Sequence, residues 1–161
     1  MSDYTEIQEG EAYNWPLAKF FFRVTIDGLP ELGFQTCEGL EAEMSVIEYR
    51  PGNSQYLFKS KRPGLVTYSN ITLKKGAFEG DFNLLDLWRA YGWLSEGGYR
   101  NNKKEIIIEL MDDGGTPIIT WTCKGCFPVK FTPPSMDAEA DSEPAVEEME
   151  IACESWDIEW V

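Results

Sequence analysis

A period of two constrains this chain more than any other feature. From Lys19 to Asp27, Phe20, Phe22, Val24 and Ile26 alternate with Lys19, Arg23, Thr25 and Asp27, the signature of a strand buried on one face. The alternation returns in Glu41–Tyr49, where Ala42, Met44 and Val46 oppose Glu41, Glu43 and Ser45, and in Glu105–Leu110, where Ile106, Ile108 and Leu110 share a face. Val66–Leu73, Ile118–Cys123 and Val129–Thr132 have strand composition. Val146–Trp160 carries two runs of opposite parity, Met149, Ile151 and Cys153 against Trp156, Ile158 and Trp160. A β-bulge near Ser155 would turn both sets toward the core.

Turn residues suggest how these strands connect. Gly28-Leu29-Pro30 predicts a hairpin from the first strand to a return strand over Leu32–Cys37, and Asp112-Asp113-Gly114-Gly115 predicts a second hairpin. Glu41–Tyr49 and Val66–Leu73 are expected to pair. They leave Arg50–Gly64, with Pro51-Gly52 and Pro63-Gly64, as a long projecting hairpin loop, and Pro133–Pro144 as an acidic one. One segment changes period: Leu84, Leu85, Trp88 and Tyr91 recur at helical spacing after Asp81, which suits an N-cap, and Gly97-Gly98 suits a stop. The expected fold is mainly β, an antiparallel barrel or sandwich with one flanking α-helix over about residues 81–96. At 161 residues the chain has room for one core. Residues 17–161 are therefore read as a single domain behind an acidic N-terminal arm, residues 1–16. The first fourteen residues hold Asp3, Glu6, Glu9 and Glu11 and no basic residue. That is the reverse of a signal peptide, so synthesis in the cytoplasm without a cleaved signal is expected.

Composition removes several chemistries. A net charge of −14 has the wrong sign for gripping nucleic acid through phosphates, and no stretch is apolar for long enough to span a bilayer as a helix. The absence of histidine excludes Ser-His-Asp and Cys-His nucleophiles and imidazole metal sites. Four cysteines are too few for a disulfide scaffold, so thiols are expected. Cys123-Lys124-Gly125-Cys126 has the spacing of half a zinc site or a redox pair, which keeps a Cys-based metal or thiol module as the alternative of a different class. Completing zinc would need the isolated Cys37 and Cys153, and the pair leaves a strand rather than opening a helix, which favours two small apolar residues beside a kink. The acidic residues could in principle supply a glycosidase pair, but nothing in the sequence marks one pair. The glycines match no phosphate-binding fingerprint.

Charge is segregated. Residues 50–75 contain Arg50, Lys59, Lys61, Arg62, Lys74 and Lys75 and no acid, whereas residues 131–161 contain ten acids and no base. Each stretch could be a solvated face. Equally, a basic loop on one copy could meet an acidic surface on the next, and such a heterologous contact propagates into a filament or closes a ring.

Certain words of the sequence and their order resemble a known family. Phe20-Phe21-Phe22-Arg23-Val24-Thr25-Ile26-Asp27-Gly28, Phe34-Gln35-Thr36-Cys37-Glu38-Gly39-Leu40-Glu41 and Ile47-Glu48-Tyr49-Arg50 come first. Pro63-Gly64, Asn70-Ile71-Thr72-Leu73-Lys74-Lys75-Gly76, a helix ending near Trp88, Trp121 with Phe127-Pro128-Val129-Lys130, and Glu148-Met149-Glu150-Ile151 follow. Over residues 17 to 158 they resemble the tail tube proteins of contractile-tailed phages and related injection systems, which implies a barrel or sandwich similar to the haemolysin-coregulated proteins of type VI secretion. The resemblance implies a non-enzymatic subunit without cofactor, metal or catalytic residues. Six copies would form a ring, and rings would stack head to tail into a hollow tube inside a contractile sheath that delivers cargo or DNA. It implies a sheath protein, baseplate and tube-initiator proteins and luminal cargo as partners, in a phage tail or an injection particle. A tube initiator or adaptor at the baseplate is the alternative within the same machine. On this reading Arg50, Lys59, Lys61 and Arg62 are candidate contacts between rings, and Glu148, Glu150 and Glu154 are candidates to face the lumen.

Overall fold

The computed structural model of the chain describes residues 17, 18, 21–91, 103–139 and 143–161. In chain order the elements are β1 (Phe22–Ile26), β2 (Thr36–Glu38), β3 (Ala42–Tyr49), β4 (Ser60–Tyr68), β5 (Ile71–Gly76), α1 (Asn83–Tyr91), β6 (Lys104–Met111), β7 (Pro117–Thr132), β8 (Val146–Ala152) and β9 (Ser155–Trp160). All strand pairs are antiparallel. The first half of β7 pairs with β6 and β9, and β1 pairs with β6. The second half of β7 pairs with β8, which pairs with β5, and β5 with β2. The long strand β7 thus serves both layers of a sandwich that does not close into a barrel. It turns between them at Gly125, whose φ of 66° is left-handed. The chain repeats the crossing between β8 and β9, where the Glu154 amide donates to the Lys124 carbonyl at 3.2 Å.

Period-two alternation decides what is buried. Val24, Ile26, Ile106, Ile108 and Cys123 from one layer meet Ile71, Leu73, Met149 and Ile151 from the other, with Leu84 and Leu87 of α1 across one end. Asp81 caps α1 as expected, its Oδ1 accepting from the Asn83 amide at 3.2 Å.

Several expected connections differ. The predicted hairpin at Gly28 does not form. Only the bridge between Val24 and Leu32 joins the two segments, and β2 pairs with β5 instead. The connection carries Leu29, Leu32, Phe34, Cys37 and Leu40 against the core, and this burial outweighs local pairing. The strand expected over Val66–Leu73 is two, β4 and β5, divided at Ser69-Asn70. Because β4 begins at Ser60, the projecting feature is a β-hairpin, and Lys61 and Arg62 lie in its strand rather than in a loop. Val129–Thr132 is the end of β7, not a separate strand. Ile158 and Trp160 are exposed, 41% and 70%, and the bulge expected near Ser155 is instead a change of layer, β8 pairing with the second half of β7 and β9 with the first. The expected acidic arm and helix stop lie outside the described residues.

The hairpin joins the sandwich through Gly39. Its φ is 93°, and a Cβ there would stand 2.1 Å from the Asn70 carbonyl oxygen. Gly39→Ala therefore combines left-handed strain with a backbone clash. It is expected to cost about 2–3 kcal/mol, read as a lower urea midpoint at unchanged slope.

Candidate assembly surface

The β3–β4 hairpin forms its own two-stranded sheet. Every residue of β3 is exposed, so its apolar alternation is real but faces no core of its own chain. Half of the large apolar side chains left exposed among the described residues lie on this hairpin: Met44, Val46, Ile47, Tyr49, Tyr56, Leu57, Phe58, Leu65 and Val66. A surface of this kind marks an interaction site. At its base, Tyr68 meets Trp156 edge to face, centroids 5.4 Å apart.

The hairpin also carries the candidate basic residues. Glu48 stands opposite Lys61, and its carboxylate lies 3.5 Å from Lys59 Nζ. Arg62 stands opposite Ile47. Arg50 turns inward along the tip, with Nε donating to the Tyr56 carbonyl at 2.9 Å, so it braces the turn. The fold brings all four onto one projection.

The acidic candidates divide. Glu148 and Glu150 point away from the core on β8, alternating with buried Glu147, Met149 and Ile151. Glu148 stands beside Lys74, and Glu150 Oε1 accepts from Asn70 Nδ2 at 2.8 Å. With Lys130 opposite Glu150 and Thr132 opposite Glu148, this face is a mixed-charge polar ladder, not a purely acidic strip. Glu154 sits at the β8–β9 corner, where it pairs with Lys103 and folds over Gly125.

Sequence reasoning missed a buried ion cluster. Lys75, 2% exposed, lies 2.7 Å from Asp81 and 2.9 Å from Glu147. Burial works against its charge, but the hydrogen bond to Asp81 and the ion pair with Glu147 hold its ammonium above the ordinary lysine value. The same contact with Lys75 holds Asp81 below the ordinary carboxylate value. The available signal was Lys75 itself, a lysine at a core-facing position of β5 with the alternation Ile71, Leu73, Lys75.

Cys123, Cys126 and Cys153 gather at the corner as buried free thiols, with Cys153 Sγ 3.0 Å from the Ser155 carbonyl. No cluster of ligands fit to hold a metal ion occurs among the described residues. Desolvation and the neighbouring Cys153 raise Cys123 to about 12, and the same causes raise Cys126. A thiol so placed is almost wholly protonated at neutral pH and inert. Thiol titration at pH 8 should therefore find Cys123 and Cys126 reacting far more slowly than in the unfolded chain.

The sandwich with its protruding apolar hairpin is a fold shared with chains of solved assemblies. The fold matches a chain of the sheath–tube complex, in its extended state, of the extracellular contractile injection system PVC. Identity is 32% and TM-score 0.78, covering 92% of this chain and 95% of that one. A chain of the anti-feeding prophage cap, the AFP tube-terminating cap, matches at 30% identity and TM-score 0.78, covering 98% and 99%. Hcp1 from Flavobacterium johnsoniae shares the fold at 13% identity and TM-score 0.52, covering 86% and 94%. A search of curated proteins finds no match.

The family model described as T4-like virus tail tube protein gp19 matches residues 18–157, and the chain belongs to that family. It is a structural tube or tube-terminator component of a contractile injection system, not an enzyme.

Proposed function

We propose that the chain is the repeating inner-tube subunit, six copies closing each ring and rings stacking head to tail into a hollow conduit within a contractile sheath. The supporting observation is the β3–β4 hairpin: a folded, apolar projection that buries neither face in its own chain. Neighbouring copies would supply the missing cover, and they would also pair the edges of β1 and β9 that no strand covers among the described residues, edges that otherwise invite aggregation. Arg50, Lys59, Lys61 and Arg62 then lie at the contact between rings. Glu148 and Glu150 belong to a polar ladder suited to the bore, with Glu154 at its margin. The sheath, the baseplate with its tube initiator, and cargo in the bore are the partners of such a tube, and the extracellular injection particle is its place.

The match to the cap chain, which spans nearly the whole of both chains, favours a second reading as a tube terminator. Copy number separates the two. Quantitative mass spectrometry of purified particles should find this chain in proportion to particle length; a fixed small number per particle would assign it to an end.

A further inference from the structure

The tip of the β3–β4 hairpin joins an apolar point to a collar of positive charge. Leu57 is 96% exposed, and the exposed rings of Tyr56 and Phe58 on either side of it lie 5.3 Å apart. Arg50, Lys59, Lys61 and Arg62 are the charged residues of segment 49–62, and all are basic. Glu48, the acid next in sequence, is paired with Lys59, while Lys61 and Arg62 form no ion pair among the described residues. Both main-chain polar groups of Tyr56 are paired within the turn: its amide donates to Ser54 Oγ at 3.2 Å, and its carbonyl accepts from Arg50 Nε at 2.9 Å. Groups already paired can leave water without being stranded.

We propose that the Tyr56-Leu57-Phe58 tip, wherever no second copy covers it, binds reversibly to the surface of an anionic lipid bilayer. Aromatic rings flanking an aliphatic side chain suit the boundary between headgroups and acyl chains, and a rim of Lys and Arg meets lipid phosphate. The net charge of −14 opposes an anionic surface only at short range. The eight residues of β3 set the tip about 26 Å beyond the body, roughly three Debye lengths at physiological salt. Repulsion of the body is therefore screened where the attraction of the tip acts. Heterologous stacking leaves the last ring with its hairpins unreceived. On the tube reading, on which this extension rests, the tips of a whole ring meet one membrane together, and their weak affinities multiply.

Flotation of the full chain tests this, with vesicles of phosphatidylglycerol and phosphatidylcholine in equal parts and with vesicles of phosphatidylcholine alone. Electron microscopy of each sample records its assembly state. Recovery with the anionic vesicles at least tenfold above that with the neutral ones, falling as salt rises, is the expected result. Leu57→Asp changes a side chain in open solvent and so leaves the subunit folded; compared as unassembled chains, it should float at least tenfold less. Met136→Asp alters an equally exposed apolar residue on the acidic loop and should float as the unaltered chain does. Equal recovery on both vesicles, or recovery that survives Leu57→Asp, would overturn the tip as a lipid site. Rods that fail to float would overturn the membrane inference and leave the tube standing. Chains that float but never assemble would overturn the tube and leave the tip.

Discussion

Replacing Lys75 with methionine should destabilise the chain by about 3–5 kcal/mol, because it leaves buried Glu147 and half-buried Asp81 without their counter-charge. In a chain of this length that lowers the melting temperature by about 10 °C. Packing is not the cause of the expected loss, since methionine fills much of the same volume. Adding Glu147→Leu to Lys75→Met removes one stranded carboxylate and should therefore recover part of the deficit. The pH dependence follows from the same geometry. Asp81 is held below its ordinary value of 3.8, so its contribution is complete above that pH and fades as acid titrates the folded state. Lys75 is held above its ordinary 10.5, so its contribution is complete below that pH and is lost as alkali passes the folded value. Urea denaturation at pH 3, 7 and 11 should give a plateau flanked by two falling limbs. Lys75→Met should flatten both limbs, and an unchanged acid limb would remove Asp81 from the account.

Reversing two charges on the hairpin should abolish stacking while the subunit remains folded. Lys59 and Lys61 are both exposed, and the ion pair of Lys59 with Glu48 is a surface pair worth about 1 kcal/mol or less. Lys59→Glu with Lys61→Glu gives up that pair and sets two carboxylates beside Glu48, an exposed repulsion costing about 1 kcal/mol that leaves the subunit folded. Between copies the penalty recurs at every junction, and like charges facing one another cost several kcal/mol. Circular dichroism and the melting curve should stay close to those of the unaltered chain, while sedimentation finds single rings or subunits. Rods of ordinary length from the double variant would show that the basic strand takes no part in stacking.

Local pattern exposed the strands and hid their partners. Val24, Ile26, Met149 and Ile151 were legible as core from alternation alone, and Asp81 as a cap from its place before Leu84. The same alternation in β3 misled, because Met44 and Val46 prepare a face for burial that their own chain does not complete. Pairing by turn residues failed at Gly28, where Leu32, Phe34 and Cys37 are drawn across the core to β5. It succeeded at Asp112–Gly115, a tight turn with nothing to bury. Ile158 and Trp160 followed the expected parity but not the expected burial, since a change of layer leaves no sequence mark beyond Glu154 and the glycine it covers. The four basic candidates could be assigned to one projection because they are close in sequence. Lys75 at a core-facing position signalled a buried charge, but its partners could not be read, because Asp81 and Glu147 meet it only through the pairing of β5 with β8 and the turn before α1.

Electron microscopy of the purified chain at high concentration tests the central claim most directly. Sixfold rings and hollow rods, with hairpin density bridging one ring to the next, are the predicted result. A particle that remains a monomer of 18.4 kDa under every condition, and alone within its native assembly, would contradict it.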